Sequence, residues 1–326
     1  MMLPSSFFKY GFVTDVLIIF FSFAVVFILS CSDNANTSEP SIEKGRIIYH
    51  SYSDYGAYDS KLHILDLKSG KHSTIGENWN IDHAMNAHFS SDGKKIAFMG
   101  VPKGSHSYYS WDVFLWDFIS EEPVNLTFGN GLPDEDPKFS PNGNSIVFKQ
   151  NGDIKIMDLQ GNILETLTND GFEIEESMPY FLRNGKEVIY AQGAGENSDI
   201  YKINIESKVK HPLIEKNGSQ EYYPIVKNEN TYLYAGWISA ENRHDQIYIG
   251  TFDNSAPRQA LFNSDNADFS DPYPIDENLV VFSTNLYSGN YDLSFGNLAT
   301  GEIISLDSFG INTQLHELGA CYILSY

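Results

Sequence analysis

The chain has 326 residues, of which 42% are hydrophobic and 14% are aromatic. This is enough apolar material for a large core, and it excludes an intrinsically disordered protein. Its 21 lysine and arginine residues stand against 43 aspartate and glutamate residues, which gives a net charge of −22. Because phosphate contacts need clustered basic residues, the charge balance excludes nucleic acid as a partner.

The N-terminal segment is typical of an exported protein. Residues 16–29 carry no charge, and such a run is too short to span a bilayer but suits the apolar part of a signal peptide. It ends in I-L-S-C at 28–31, which resembles the bacterial lipobox, and this resemblance implies lipidation of Cys31. We expect a signal peptide at 1–30, then the lipidated cysteine and a flexible tether at 31–42. The alternative is a plain signal peptide with an incidental cysteine.

The rest of the chain repeats a unit of four short strands every forty to fifty residues. The clearest copy begins at Asp136 with the letters DPKFSPNG and continues through strands at 145–149 and 153–159. Other copies begin at Ala87, Pro179, Pro224 and Pro274. The strands are rich in Ile, Val, Tyr and Phe and alternate with period two, which disfavours helical repeats. Four-stranded units at this spacing predict a β-propeller.

The two ends of the repeat region complement each other. Residues 46–77 supply the last three strands of a unit, and residues 316–324 supply a first strand with nothing after it. Pairing them would remove an open sheet edge, which is otherwise a site of unwanted association. We therefore predict an all-β fold, a single six-bladed β-propeller domain at 43–326 that is closed by the C-terminal strand. We expect it to be a monomer.

Short motifs within the repeats resemble those of TolB-type propellers. They are the Phe-Ser-Pro-Asn-Gly turn at 139–143, the Asp-Ile strands that start at Asp153 and Asp199, and the Leu-Thr blade end at 167–168. The resemblance covers about residues 43–326 and implies the propeller fold. It implies little about function, because proline and glycine in the turn serve its geometry and propellers host many functions.

Histidines and aromatic residues concentrate in the loops that should open on one face of the ring. Those loops lead into the first strand of each blade or join its second and third strands. Six of the nine histidines map to this face: His50, His83, His88, His106, His244 and His316. Tyrosine and tryptophan in the same loops suit stacking on a sugar ring, although many could be packing residues.

One segment points to a reaction. The letters DHAMNAHF at 82–89 resemble envelope propellers of ulvan and pectin breakdown, whose relatives are lyases or oligosaccharide dehydratases. This resemblance favours β-elimination at the non-reducing end of an ulvan-type uronate oligosaccharide, which needs a base, an acid and a cation for the carboxylate. The candidate acid and base residues are His83, His88, His106, Tyr108 and His316. The candidate substrate-binding residues are Arg243, His244, Lys103, Tyr109, Trp111 and Tyr222.

Two other functions stay open at this point. The first is a non-catalytic TolB-like propeller that binds a glycan or an envelope protein. The second is a glycosidase with a pair of carboxylates. No organic cofactor is expected, and a divalent metal near His83, His88 and His316 is left open. We expect a lipoprotein of the outer membrane, facing the periplasm or the cell surface and contacting the membrane only through its lipid.

Overall fold

The regular structure consists of short β-strands, as seen in a computed structural model that describes residues 44–194, 197–253 and 255–324. In chain order the strands are β1 (Arg46–Tyr52), β2 (Lys61–Asp66), β3 (Lys71–Ile75), β4 (Ile81–Phe89), β5 (Lys95–Pro102), β6 (Asp112–Asp117), β7 (Val124–Asn125), β8 (Asp134–Phe139), β9 (Ser145–Gln150), β10 (Asp153–Asp158), β11 (Ile163–Thr166), β12 (Glu176–Phe181), β13 (Glu187–Ala194), β14 (Asn197–Asn204), β15 (Lys210–Ile214), β16 (Glu221–Val226), β17 (Thr231–Trp237), β18 (Asp245–Thr251), β19 (Arg258–Gln259), β20 (Phe269–Pro274), β21 (Leu279–Thr284), β22 (Asp292–Asn297), β23 (Ile303–Ser305) and β24 (His316–Ile323). Short 3-10 turns occur at Tyr55–Ala57, Tyr108–Ser110, Gly171–Glu173 and Leu306–Phe309.

The described strands pair antiparallel into six four-stranded sheets, which confirms the six-bladed propeller. Blade 1 has the order β24-β1-β2-β3, and blades 2 to 6 follow in sequence from β4 to β23. In blade 1, Arg46 pairs with Ile323 and Tyr52 with His316, so the C-terminal strand closes the ring. The first strand of each blade contacts the first strands of both neighbours, and these six strands surround the central channel.

The core is divided among the junctions between neighbouring blades. Alternate residues of a middle strand face opposite junctions, as the strand period requires. In β9, for example, Val147 packs toward blade 4 with Tyr190, whereas Phe148 packs toward blade 2 with Val113. Each blade is therefore held by two apolar interfaces, and the fold depends on the ring as a unit.

The turns between first and second strands follow the predicted geometry. The N–H of Gly143 donates to the carbonyl of Ser140 over 2.9 Å, and Gly143 has a φ of +72°. The equivalent Gly93 and Gly185 also have positive φ. Glycine adopts this conformation at no steric cost, so the repeated turn is structural. We call the face that carries these turns the lower face and the opposite one the upper face.

All six first strands contain a β-bulge at the same height in the channel, with one residue of each in the left-handed conformation. These residues, the bulge ring, are Asn86, Asp136, Met178, Tyr223, Asp271 and Gly319, with φ between +50° and +62°. Proline follows in four of the strands, where it loses no ladder hydrogen bond because the bulge leaves that position unpaired. At Gly319 a β-carbon would lie 2.6 Å from the His50 ring.

The bulge ring corrects the start of the last repeat. The sequence places that copy at Pro274, but the proline equivalent to Pro137 and Pro224 is Pro272, directly after Asp271. The mistake arises because two prolines lie two residues apart in β20. Its consequence is that Asp271, the residue that faces the channel, is missed.

The expected signal peptide and the whole of the expected tether lie outside the described residues. Among the residues that are described, no helix has the length and apolar character needed to cross a membrane.

Candidate functional site

A cavity of about 200 Å³ lies at the centre of the upper face. The bulge ring contributes five of its residues to the lining, Asn86, Asp136, Met178, Tyr223 and Asp271. A narrower cavity of about 30 Å³ continues below it, and a third of about 400 Å³ opens on the lower face. We call the first and third the upper cavity and the lower cavity.

The positive charge of a buried lysine on one wall of the upper cavity is balanced by two carboxylates. The Nζ of Lys149 lies 3.0 Å from Glu135 and 2.6 Å from Glu175. Although burial opposes its charge, the two carboxylates raise the pKa of Lys149 above its ordinary value. Lys149 therefore stays charged and is committed to these two partners.

Two aspartates of the bulge ring form no ion pair within 4.0 Å with any described residue, although the charge of Lys138 acts on both from further away. Asp136 and Asp271 are each 7% exposed. Asp136 accepts a hydrogen bond from the Asn86 side chain over 2.7 Å, and Asp271 accepts one from the N–H of Gly319 over 3.2 Å. Burial, with a contribution from Asp136, raises the pKa of Asp271 to about 6. The upper cavity is therefore an acidic site within a low-dielectric wall.

Tyrosines complete the wall around the two aspartates. Tyr52, Tyr55 and Tyr223 line the upper cavity, and the rings of Tyr52 and Tyr55 meet edge to face at 6.3 Å. Burial, with Asp271 as the next cause, raises the pKa of Tyr52 to about 12 and raises the pKa of Tyr223 well above its ordinary value. The side chains of Tyr52 and Tyr223 are therefore neutral phenols at physiological pH.

Four histidines use the same ring nitrogen for a structural hydrogen bond. The Nδ1 atoms of His50, His83, His88 and His316 accept backbone N–H groups from Asn86, Ser60, Phe139 and Tyr291 over 3.4, 3.0, 3.2 and 3.3 Å. Burial lowers the pKa of His50 to about 3 and that of His83 to about 4, and lowers that of His88 well below its usual value. The buried neutral rings therefore carry their proton on Nε2.

His83 lies inside the wall and does not line the upper cavity. It is 0% exposed, and its Nε2 has no hydrogen-bond partner among the described residues. Its ring packs 4.8 Å from that of Trp111 and 5.3 Å from that of Tyr58. Trp111 is likewise buried, with Met85 and Met99, so it packs in the core and offers no surface for stacking on a sugar.

The remaining predicted residues of blade 2 lie on the exposed hairpin that follows β5. His106 forms an ion pair with Asp82 at 2.9 Å and stacks on Tyr58 at 4.9 Å. Lys103 and Tyr109 are exposed nearby. Tyr108 begins the 3-10 turn that follows, and its side chain is outside the described part of the structure.

His88 does not lie near His83 and the hairpin residues of blade 2, with which it was predicted to form one site. His88 lies beyond the bulge and lines the lower cavity, where its ring meets those of Tyr180 at 5.5 Å and Tyr273 at 6.2 Å. His83 and His88 are five residues apart on β4, which separates them by roughly 15 Å along a strand. They cannot both surround one reacting carbon, so the prediction that His83 and His88 belong to one catalytic site was wrong.

The predicted substrate-binding residues of blade 5 form a separate polar cluster on the upper face. Arg243 stacks over Trp237 at 4.7 Å, and His244 forms an ion pair with Asp268 at 3.0 Å. Tyr222 and the neighbouring Asp245 share a hydrogen bond, and burial raises the pKa of Asp245 to about 7. His316 lies apart from this cluster. Its ring is 6.0 Å from that of Tyr291 and 5.5 Å from that of Tyr52.

No group of three or more histidine, cysteine, aspartate or glutamate side chains with metal-binding geometry occurs in the described part of the chain. The candidate set His83, His88 and His316 is spread over the wall, the lower channel and the upper rim, so these three residues do not fit one ion. Cys31, the expected lipidation site, lies outside the described residues. Cys321 is a free buried thiol on β24.

Two residues of the site, Asp271 and Lys149, were not predicted from the sequence, whereas Tyr223 is one of the predicted aromatic residues of the upper-face loops. A signal for Asp271 is present: in four repeats a proline follows the bulge residue, so the residue before that proline points into the channel. Lys149 shows no pattern, because its importance depends on two carboxylates from neighbouring blades.

Comparison with known proteins agrees with the geometry of the ring. No curated protein matches the sequence. The chain is similar in fold to hydrazine synthase from Kuenenia stuttgartiensis, with a TM-score of 0.67 and 12% identity over 86% of this chain, but it covers only 47% of that one. It is also similar to TolB from Acinetobacter baumannii, with a TM-score of 0.54 and 12% identity over 85% of this chain and 82% of that one.

A third similar structure is the propeller domain of the Trilobed protease from Pyrococcus furiosus. Its TM-score is 0.52 and its identity 17%, over 80% of this chain and 81% of that one. That domain has an open velcro topology, whereas β24 closes the ring here. At these identities the three likenesses concern the fold alone. The TolB β-propeller domain (PD40) pattern matches residues 43–223, and the chain therefore belongs to the TolB β-propeller family.

Proposed function

We propose that this protein is a non-catalytic binding propeller that takes its ligand or partner at the upper cavity. The observation that carries the proposal is the composition of that cavity, in which two buried aspartates and three tyrosines converge at the end of the channel. Concave sites of this kind, with a few converging polar groups, are where propellers and other scaffolds bind.

The hydrogen bonds of the histidines support binding over catalysis. A general base needs an unprotonated ring nitrogen that faces its substrate. In His83, His88 and His316 the Nδ1 atom already accepts a backbone N–H. For the buried rings this leaves only the protonated Nε2 on the other side, which cannot remove a proton.

Charge supports the same conclusion. A uronate carboxylate would approach a cavity that carries Asp136 and Asp271, on a protein with a net charge of −22. Arg243, the residue predicted to hold that carboxylate, belongs to the blade 5 cluster and does not line the upper cavity. Like charges in a poorly solvated site repel strongly.

The elimination hypothesis keeps one specific observation in its favour and is our second proposal. His106 is exposed, stacks on Tyr58, and shares its hairpin with Lys103. If the protein cleaves or dehydrates uronate oligosaccharides, an unsaturated product should appear in the ultraviolet. His106→Ala should then abolish it.

A crosslinking experiment tests the binding proposal. A photoreactive phenylalanine analogue at Tyr55, which is 55% exposed and lines the upper cavity, should capture a discrete envelope component. The same analogue at Ile119, exposed on the lower-face turn between β6 and β7, should not. Equal capture at both positions, or an unsaturated product from uronate oligosaccharides, would contradict the proposal.

We also propose that the protein is anchored in the outer membrane through a lipid on Cys31. The lipobox-like sequence at 28–31 supports this, and the chain joins the propeller at the lower face, where Arg46 donates to the carbonyl of Gly93. Cys31→Ala should move the protein from the membrane fraction to the soluble fraction, and retention in the membrane would favour an uncleaved apolar anchor.

A further inference from the structure

We propose that the upper cavity binds an alkylammonium or guanidinium group. The inference rests on the proposed function, because it names the class of ligand for the same cavity. It is carried by three features of the described residues: an excess of carboxylates, an unsatisfied carboxylate oxygen, and an aromatic wall.

The carboxylates of the cavity outnumber its cations. Glu135, Asp136, Glu175 and Asp271 line it, and Lys149 is the lysine among its lining residues. Lys149 is already bound by both glutamates. Lys138 lines the narrower cavity below with Asp271, yet it forms no ion pair with either aspartate within 4.0 Å. Even with Lys138 counted, two negative charges remain in excess.

Asp136 lines the cavity and has one oxygen that accepts no hydrogen bond from the described residues. Its Oδ1 receives the hydrogen bond from Asn86, while its Oδ2 accepts none from the described residues. Asp136 as a residue is only 7% exposed. A carboxylate oxygen with no hydrogen bond in so poorly solvated a place favours a donor that arrives with a positive charge.

The tyrosines suit an organic cation better than a bare metal ion. Tyr52, Tyr55 and Tyr223 line the cavity, and Tyr52 and Tyr223 are neutral phenols. An ammonium or guanidinium group beside such rings gains cation–π attraction while its hydrogens reach the carboxylates. The volume of about 200 Å³ accommodates the end of a lysine or arginine side chain or of a small amine.

Titration calorimetry of the folded propeller tests the inference, with four probes at pH 7.5. N-acetyl-lysine methylamide and N-acetyl-arginine methylamide present the group on a peptide unit, whereas butylammonium presents it on a free small molecule. Calcium chloride tests the inorganic alternative. We expect saturable binding of at least one ammonium or guanidinium probe, and the comparison with butylammonium tells whether the source is a protein side chain or a free amine.

Variants locate the site. Asp136→Asn and Asp271→Asn each keep size and shape but remove a charge, and each should weaken binding by about tenfold or more. Glu302→Gln removes one exposed negative charge elsewhere and should leave affinity unchanged. Should both aspartate variants fail to fold, Tyr52→Phe and Tyr52→Leu separate the ring from its hydroxyl, and only the leucine variant should lose affinity.

The outcomes separate this inference from the proposed function. Binding that the aspartate variants do not affect, or saturable binding of calcium alone, would overturn the cation site. A partner captured at Tyr55 that no ammonium or guanidinium probe displaces would preserve the binding function and reject the ligand class. Probe binding without any captured partner would support the ligand class and reject an envelope component as the occupant of the cavity.

Discussion

At the scale of single residues, a histidine's role depends on which of its nitrogens is already used. The sequence places six histidines near one face, and that concentration favours acid–base chemistry. In the folded chain His50, His83, His88 and His316 instead fix strands and loops by accepting backbone N–H groups at Nδ1. No spacing rule could show this, because the four donors come from other elements, most of them distant in sequence.

A buried carboxyl of β24 gives a prediction at the same scale. Glu317 is 1% exposed, and burial raises its pKa to about 7. The folded state therefore holds a proton that the unfolded state releases near its ordinary value. This contribution to stability is present at low pH and is lost as the pH rises through about 7. The buried histidines have lowered pKa values, so they change the stability only below pH 6.5. Above pH 6.5 the pH dependence of the stability comes from the buried acids.

From pH 6.5 to 8.5, the free energy of unfolding should fall by roughly 1 kcal/mol because of Glu317. Glu317→Gln keeps an acceptor for the Thr313 hydroxyl, which donates over 2.6 Å, and should remove this share of the fall. The share of Asp245, whose pKa burial also raises to about 7, should remain. Urea unfolding at both pH values measures it, with the exposed Glu302→Gln as the control. An equally steep fall in the Glu317 variant would show that its proton plays no part.

At the scale of strands, alternation and turn chemistry were sufficient to predict the blades. Strand pairs such as 145–149 and 153–159 appear in the structure as β9 and β10, joined as expected. The bulges could not be predicted from alternation, since one extra residue reverses which side chains face the channel. Asp136 and Asp271 therefore became visible as a pair only when six strands were placed around one axis. The proline that follows the bulge residue in four of the six strands was the one local sign of the bulge.

At the scale of the whole molecule, closure of the ring determines stability. Each blade shares its core with two neighbours, and β24 supplies the innermost strand of blade 1. Ala320 packs toward blade 6 and Cys321 toward blade 2. Without β24, both junctions lose apolar contacts and the inner edge of β1 becomes exposed to pairing with other chains.

Deleting residues 316–326 should therefore make the protein largely insoluble, or lower its melting temperature by many degrees if a soluble fraction remains. Large cavities in two junctions cost several kcal/mol together, which is a large share of the stability of an ordinary domain. A chain that ends at Leu324 is the matched control, because it keeps every residue of β24. Differential scanning calorimetry and sedimentation of both truncated proteins measure the effect. If the chain that ends at Leu315 stays monomeric and melts with the control, the ring does not depend on this strand, and the junctions of blade 1 must be held by β1 to β3 alone.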